Sequence, residues 1–223
     1  MSIWIGLTGA SRSGKDTVGD ILQRCFGLTK TSFGEVIYLE IARDFNIPIK
    51  ELHDPSVKES PRVSILGCTN NGFKEYLCSL PRKVFSEYPR ITESGNLDAV
   101  PSYEVVSTVL LTPRFLLQQR GDYDKQDNPE YIVNTGVQRW HAYLAGGGEI
   151  GCVDCSVRFP NEAQAIRKTG GRIIRIHNPF APKINSHKSE TPLPDHLVDL
   201  ELYNGFSIAN LEKIIVPYIK AAQ

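Results

Sequence analysis

Residues 3–8, Ile3-Trp4-Ile5-Gly6-Leu7-Thr8, form a short apolar run that passes directly into Gly9-Ala10-Ser11-Arg12-Ser13-Gly14-Lys15-Asp16-Thr17. An unbroken apolar run of this length reads as a central parallel strand buried on both faces. A helix follows, because Val18, Ile21, Leu22, Cys25 and Phe26 recur at the spacing of one apolar face. Strand, glycine-rich turn and helix in that order give the turn a structural context.

Working outward, a second short strand is expected over residues 28–33 and a helix around Val36 to Phe45. Residues 61–101 have a different texture. Pro61, Gly67, Asn70-Asn71-Gly72, Pro81, Pro89, Gly95 and Pro101 break them into short pieces, which reads as an insertion with turns. Thr112-Pro113 opens a helix as N-cap and first-turn proline, and Gly121 is expected to close it. After Asp127-Asn128-Pro129 another helix places Val133, Val137, Trp140 and Leu144 on one face, with Trp140 assigned to the core. Ile150 to Val157 reads as a strand, Pro160 to Gly170-Gly171 as a short helix with a glycine stop, and Arg172 to His177 as the next strand. Residues 178–197 carry four prolines and little periodicity, the look of a loop or lid. Leu197 to Tyr203 is a last strand, and Ser207 caps a final helix with Ile208, Leu211 and Ile215. Strands alternating with helices predict an α/β fold with a parallel, doubly wound sheet. Ligands of such sheets sit beyond the carboxyl ends of the strands, so residues 9–17, 156–162 and 178–190 are expected to face one site.

The 223 residues carry 25 Lys+Arg against 25 Asp+Glu, and the sequence pI is near 7.0. Zero net charge argues against a sequence-independent hold on a nucleic-acid polymer. Within residues 61–101, five Lys/Arg stand against four Asp/Glu, so the insertion has no basic patch either. No segment approaches the roughly 20 apolar residues of a membrane span, and the N-terminus lacks a signal peptide's charged region. A soluble cytoplasmic protein is expected. The five cysteines are odd in number; Cys152-Val-Asp-Cys155 has metal-knuckle spacing but no second pair, so structural thiols are the preferred reading.

Gly9-x-x-x-x-Gly14-Lys15 has the pattern that wraps a phosphate with backbone N–H groups. The glycines permit the tight path, the helix N-terminus adds a favourable dipole, and Lys15 would neutralise the β- and γ-phosphates. Where Ser or Thr usually follows the lysine to hold Mg2+, this chain has Asp16 and then Thr17. Phosphate binding alone leaves kinase, GTPase and ATP-driven machine open. Transfer to an acceptor that is already anionic needs positioning and charge neutralisation, which points to arginines outside the turn.

Five short motifs in order carry a family resemblance: Ser13-Gly-Lys-Asp-Thr17; Thr112-Pro-Arg-x-Leu-Leu-Gln118-x-x-Gly121; Val157-Arg-Phe-Pro-Asn-Glu-Ala163 with Gly170-Gly171; His187-x-Ser-Glu190; and Asp199 with Asn204. Together they resemble the bacteriophage deoxynucleoside monophosphate kinases, P-loop enzymes of the adenylate-kinase-like group. The match runs from residue 3 to about 215 and is poor from about 46 to 108. The resemblance implies a P-loop kinase with about five parallel strands. It would be one domain, divided into a nucleotide-phosphate half (1–45), a variable acceptor-binding insertion (46–110), a core (111–177), a lid-like loop (178–197) and a C-terminal strand and helix (198–223). It implies transfer of the γ-phosphate of ATP, with Mg2+, to a deoxynucleoside 5′-monophosphate. It also suggests a homodimer, and host cytoplasm if the gene is a phage's.

Residue by residue, the resemblance assigns Gly9, Arg12, Ser13, Gly14, Lys15, Asp16 and Thr17 to the ATP phosphates, with Asp16 and Thr17 holding the metal directly or through water. Arg114 would grip the acceptor phosphate, and Gln118, one turn along, would meet the acceptor's base or sugar. Arg158 would neutralise charge as the phosphoryl group moves. His187 and Glu190 lie in the lid-like loop, with Glu190 facing the acceptor, and Asn204 would approach the adenine. Three positions depart from the family pattern. The acid two residues before Arg158 is replaced by Ser156, with Asp154 roughly 6–7 Å deeper on the strand. The lid arginine before Pro179 is Asn178, so lid charge would come from Arg175, Lys183 or Lys188, or be absent. The lysine after Gly34 is missing. Two other readings stay open: a kinase for another acceptor, such as a hydroxymethylated base in DNA or a small non-nucleotide phosphate, and a non-catalytic nucleotide-binding protein.

Overall fold

The computed structural model describes residues 2–89, 107, 109–148, 150–180, 192–205 and 207–222. The chain forms two compact units, one from Met1–Gly34 with Ile132–Gln223, the other from Glu35–Tyr131.

The first unit is built on a parallel sheet of β1 (Ile3–Thr8), β2 (Thr29–Thr31), β5 (Gly151–Asp154), β6 (Arg172–His177) and β7 (Leu200–Tyr203), in the order β2-β5-β1-β6-β7. This α/β architecture is consistent with a P-loop kinase fold. Every residue of β1 is buried, and the alternation of side chains sends Ile3, Ile5 and Leu7 to one face and Trp4 to the other. On the first face they join Val18, Ile21 and Leu22 of α1 (Lys15–Phe26) and Leu211, Ile215 and Ile219 of α9 (Ile208–Ala222). On the second, Trp4 stacks on Phe33 and on Trp140 of α7 (Tyr131–Ala145), ring centroids 5.3 Å apart in both cases. Here α8 (Pro160–Lys168) adds Ala163 and Ile166. Helices on both faces make the sheet doubly wound. Truncating Trp140 to alanine removes one ring of this stack, so chemical denaturation is expected to show a loss of about 3–5 kcal/mol.

Three strands are shorter than the sequence predicts: β2 covers only Thr29–Thr31 of the expected 28–33, and β5 and β7 are trimmed at their ends. After Asp154 the chain turns, because its carboxylate accepts the Ser156 N–H at 2.8 Å, and Ile150 at the other end is exposed. Residues 195–197 form a single 3-10 turn before β7. Asp199 then exchanges two bonds with Ile173, its N–H to the Ile173 carbonyl and its carboxylate to the Ile173 N–H, both 2.8 Å.

The second unit contains α2 (Glu35–Phe45), α3 (Ile49–His53), α4 (Pro55–Lys58), α5 (Asn71–Ser79) and α6 (Pro113–Asp127). A small antiparallel pair, β3 (Val63–Ser64) and β4 (Leu110–Leu111), joins them. Its own core gathers Ile41, Phe45, Leu52, Ile65, Phe73, Leu77, Leu111 and Leu116. Thr112 caps α6 as expected, its hydroxyl accepting the Phe115 N–H at 3.1 Å. Gly121 does not end this helix, which runs on to Asp127. A Cβ there would stand 3.2 Å from Ile37 Cδ1, so the glycine serves the close approach of α2 instead of a stop.

The same contact buries Arg120 to 5% exposure. Its guanidinium binds Glu40 at 3.2 Å, Asp44 at 2.5 Å and Asp124 at 2.9 Å. The Tyr131 hydroxyl adds a 2.6 Å bond to Glu40. Burial, followed by the neighbouring Glu40, pushes the Asp124 carboxyl up to about 7. Among the described residues, no helix is long and apolar enough to cross a membrane.

Candidate active site

Residues 9–14 join β1 to α1 along a path that side chains resist. Gly9 (φ 139°) and Gly14 (φ 102°) lie in the left-handed region, and so does Arg12 (φ 60°). A Cβ on Gly9 would stand 2.3 Å from the Ile176 carbonyl oxygen, and one on Gly14 would stand 2.2 Å from Asn204 Nδ2. The Ser13 N–H closes a turn on the Ala10 carbonyl at 3.2 Å. Gly14 provides no side-chain cap for α1, so the first-turn N–H groups face outward at the positive end of the helix dipole. The Lys15 ammonium donates to the carbonyls of Gly9 (2.9 Å) and Ala10 (2.8 Å), which holds its charge over the loop. Ser13 is 1% exposed and its Oγ has no partner among the described residues. The local pattern is a backbone cradle for an anion with a cation at its rim.

Asp16 is exposed and Thr17 half-buried, both in the first turn of α1. Asp154, the other carboxylate near the strand ends, is fully enclosed. Its Oδ2 accepts the Phe33 N–H at 2.7 Å, and its Oδ1 accepts the Ser156 N–H at 2.8 Å and hydroxyl at 3.0 Å. Ser156 Oγ lies 2.6 Å from Ser32 Oγ, so this network ties the ends of β2 and β5 together. Burial outweighs those bonds and pushes the Asp154 carboxyl up to about 6, against an ordinary value of 3.8. A raised folded-state value means the native protein holds this proton longer than the unfolded chain does. Asp154 therefore favours folding below pH about 4, and that advantage disappears as pH rises through about 6, an effect of about 3 kcal/mol. Asp124 extends the decline toward 7. Denaturant titrations between pH 4 and 7 are expected to show falling stability, with a shallower slope for Asp154→Asn whatever its absolute stability.

Arg158 follows the turn after β5. The Val157 N–H donates to the Leu7 carbonyl at 3.2 Å, which pulls this turn onto the end of β1 beside the loop. The Glu162 carboxylate then accepts the backbone N–H groups of Arg158 (2.7 Å) and Phe159 (3.0 Å) and fixes the start of α8. The Arg158 side chain is exposed, and no ion pair engages its guanidinium among the described residues.

At the ends of the next two strands, Asn178 donates its amide to the Arg12 carbonyl at 3.3 Å. Asn204, expected near the adenine, donates to the Ser13 carbonyl at 2.9 Å. Both bonds were invisible in the sequence, since the partners lie more than 160 residues apart. Arg175 does not supply lid charge. It is buried, with Nη1 on Asp195 (2.6 Å) and Glu201 (2.8 Å) and Nη2 on the Leu193 carbonyl. Lys183, His187, Lys188 and Glu190 lie outside the described residues.

Arg114 and Gln118 are in the second unit. Both are exposed and one turn apart on α6, and Arg114 Nε pairs with Glu59. Beside Glu59, the Lys58 ammonium bonds the Tyr38 hydroxyl and stands 4.7 Å from that ring's centre. Tyr38 in turn stacks on His53 at 4.6 Å with planes 4° apart. No periodicity in the sequence marks this cluster, because three short elements bring it together.

All five cysteines are free. Burial pushes the Cys152 thiol up to about 11 and the Cys155 thiol up to about 12, so neither is a ready thiolate ligand at neutral pH. No group of three or more His, Cys, Asp or Glu is placed to hold a metal ion among the described residues.

No family model matches the chain. Over 99% of its length the chain is 25% identical to 97% of a protein of Acanthamoeba polyphaga mimivirus named "Putative deoxynucleotide monophosphate kinase", a likeness to a nucleotide kinase that spans both units.

Proposed function

We propose that the protein transfers the γ-phosphate of ATP to the 5′-phosphate of a deoxynucleoside monophosphate and releases the deoxynucleoside diphosphate. The carrying observation is the loop: glycines where side chains would clash, an uncapped helix start, Lys15 at the rim, and the Arg158 turn bonded to the end of β1. The full-length likeness to the mimivirus protein supports the choice of reaction.

In this reading the N–H groups of the loop and the first turn of α1 bind the β- and γ-phosphates, with Ser13, Asp16 and Thr17 around them and Arg12 at the outer edge. Lys15 swings from its carbonyl partners to the phosphate oxygens. Thr17 and Asp16 are hard oxygen donors beside the loop and suit Mg2+, which takes one or two protein oxygens plus phosphates and water. Asp154 does not fit that duty, since both its oxygens are occupied and desolvated. When bound, Mg2+ supplies neutralisation of the phosphate charge. Arg114 meets the acceptor phosphate with its planar fork after exchanging Glu59 for it, and Gln118 meets the nucleoside. Arg158 stabilises charge on the phosphoryl group in flight. No general base is needed, because the attacking oxygen already belongs to an anion. Glu190 belongs to the acceptor side of the same proposal.

The experiment is an acceptor screen with ATP and Mg2+ against dGMP, dTMP, dAMP, dCMP and modified analogues. Diphosphate formation is expected for at least one acceptor, at about 1–100 per second. ATP binding with no acceptor-dependent consumption would instead favour a non-catalytic nucleotide-binding protein. Activity on duplex DNA alone would favour a DNA acceptor.

A further inference from the structure

We infer that Asn178 and Asn204 form an amide clamp that fixes the path of the glycine loop and aims the Gly14 N–H at the phosphates. This rests on the proposed nucleotide site and gives these two residues a positioning role in it.

The clamp begins in the sheet. β6 and β7 run parallel, and their last register pair is His177 with Tyr203. The next residue on each strand is an asparagine, and the Asn204 N–H donates to the His177 carbonyl at 2.6 Å, locking the two strand ends together. From this paired base the two side-chain amides reach consecutive carbonyls of the loop, Arg12 (3.3 Å) and Ser13 (2.9 Å). The orientation of Asn178 is set independently, because its Oδ1 accepts the Phe180 N–H at 2.9 Å and leaves the NH2 for Arg12.

The consequence follows from the planar trans peptide, in which C=O and N–H point in opposite directions. Holding the Ser13 carbonyl against Asn204 turns the Gly14 N–H the other way, to the side of the uncapped first turn of α1. Holding the Arg12 carbonyl restrains the preceding peptide, at a residue whose φ of 60° is costly and persists only when its surroundings enforce it. Asn204 also explains Gly14 sterically, since its Nδ2 occupies the space a Cβ would need. At position 178, where the family resemblance expects a lid arginine, this chain places a strut for the loop.

The test measures binding of inorganic tripolyphosphate by calorimetry, together with ATP and acceptor kinetics, for wild type, Asn178→Ala, Asn204→Ala and the double variant. Tripolyphosphate has no base or sugar, so it reads the loop alone. Each single variant is expected to bind it about 5–10-fold more weakly, the loss of one side-chain hydrogen bond's worth of ordering, and the double variant more weakly still. KM for ATP rises in parallel, KM for the acceptor stays put, and the melting temperature moves by only a few degrees. A merely structural role gives the opposite split: fewer active molecules and lower melting temperatures, with tripolyphosphate affinity and KM as in wild type. That outcome overturns the clamp while leaving the nucleotide site standing. Asn178 is half-buried at a strand end, so its variant reads the effect even if Asn204→Ala folds poorly. Failure of wild type to bind tripolyphosphate would overturn the nucleotide site and the clamp with it.

Discussion

Lys15→Ala is expected to lower kcat/KM for phosphate transfer from ATP by about 10²–10³-fold, the scale of removing one charge-stabilising donor from a preorganised site. The ammonium is held over the loop by the Gly9 and Ala10 carbonyls, 2.9 and 2.8 Å away. It therefore starts within reach of any phosphate the loop accepts, and little ordering is required at the moment of reaction. Loss of the two carbonyl bonds costs stability only modestly, because those carbonyls lie at the rim and water replaces the amine. A coupled assay with saturating acceptor separates the effects: the ATP KM rises and kcat falls together. A variant that keeps more than about a tenth of wild-type turnover contradicts the role of Lys15.

Arg158→Ala is expected to lower kcat by a similar factor, about 10²–10³, while ATP binding changes only a few-fold. The distinction comes from position. Arg158 lies on the turn that Val157 bonds to β1, outside the loop proposed to hold the triphosphate. Its side chain is exposed and has no ion pair among the described residues, so truncation leaves no orphaned partner and should cost within about 0.5 kcal/mol of stability. Arg158→Lys keeps the charge but loses the fork, and partial recovery is the expected kinetic result. Unchanged kcat in Arg158→Ala would remove this residue from the mechanism.

The parts of the molecule legible in the sequence are those where local chemistry and tertiary packing agree. β1 reads as a two-sided buried strand because all six of its residues are apolar or small, and it is one. The loop is legible because its glycines have no substitute at φ 139° and 102° with backbone or Asn204 in the way. Where packing overrules local preference, reading fails. Gly121 looks like a helix stop but is a contact point for Ile37, and the helix continues because Arg120 and Asp124 are held in an ion network with α2. Arg175, shortly before the lid-like loop, reads as a candidate lid cation, yet Asp195, Glu201 and the Leu193 carbonyl keep it buried. Strand geometry alone sets Asp154 deeper than the usual acid, but its full enclosure and its bond to Phe33 depend on a segment more than 120 residues away. The family pattern picks out Asn204, but its bond to Ser13, the bond of Asn178 to Arg12 and the Lys58–Tyr38–His53 cluster carry no sequence signal, since long-range pairing creates all three.

The most direct measurement is a crystal structure with a bisubstrate analogue, adenosine joined to a deoxynucleoside through five phosphates, in the presence of Mg2+. The expected result has the adenosine-side phosphates within hydrogen-bonding distance of the N–H groups of residues 14–17 and of the Lys15 ammonium, with the guanidinium groups of both Arg158 and Arg114 on the phosphates of the acceptor half. Phosphates bound elsewhere, or the two guanidinium groups turned into solvent with the loop filled, would contradict it.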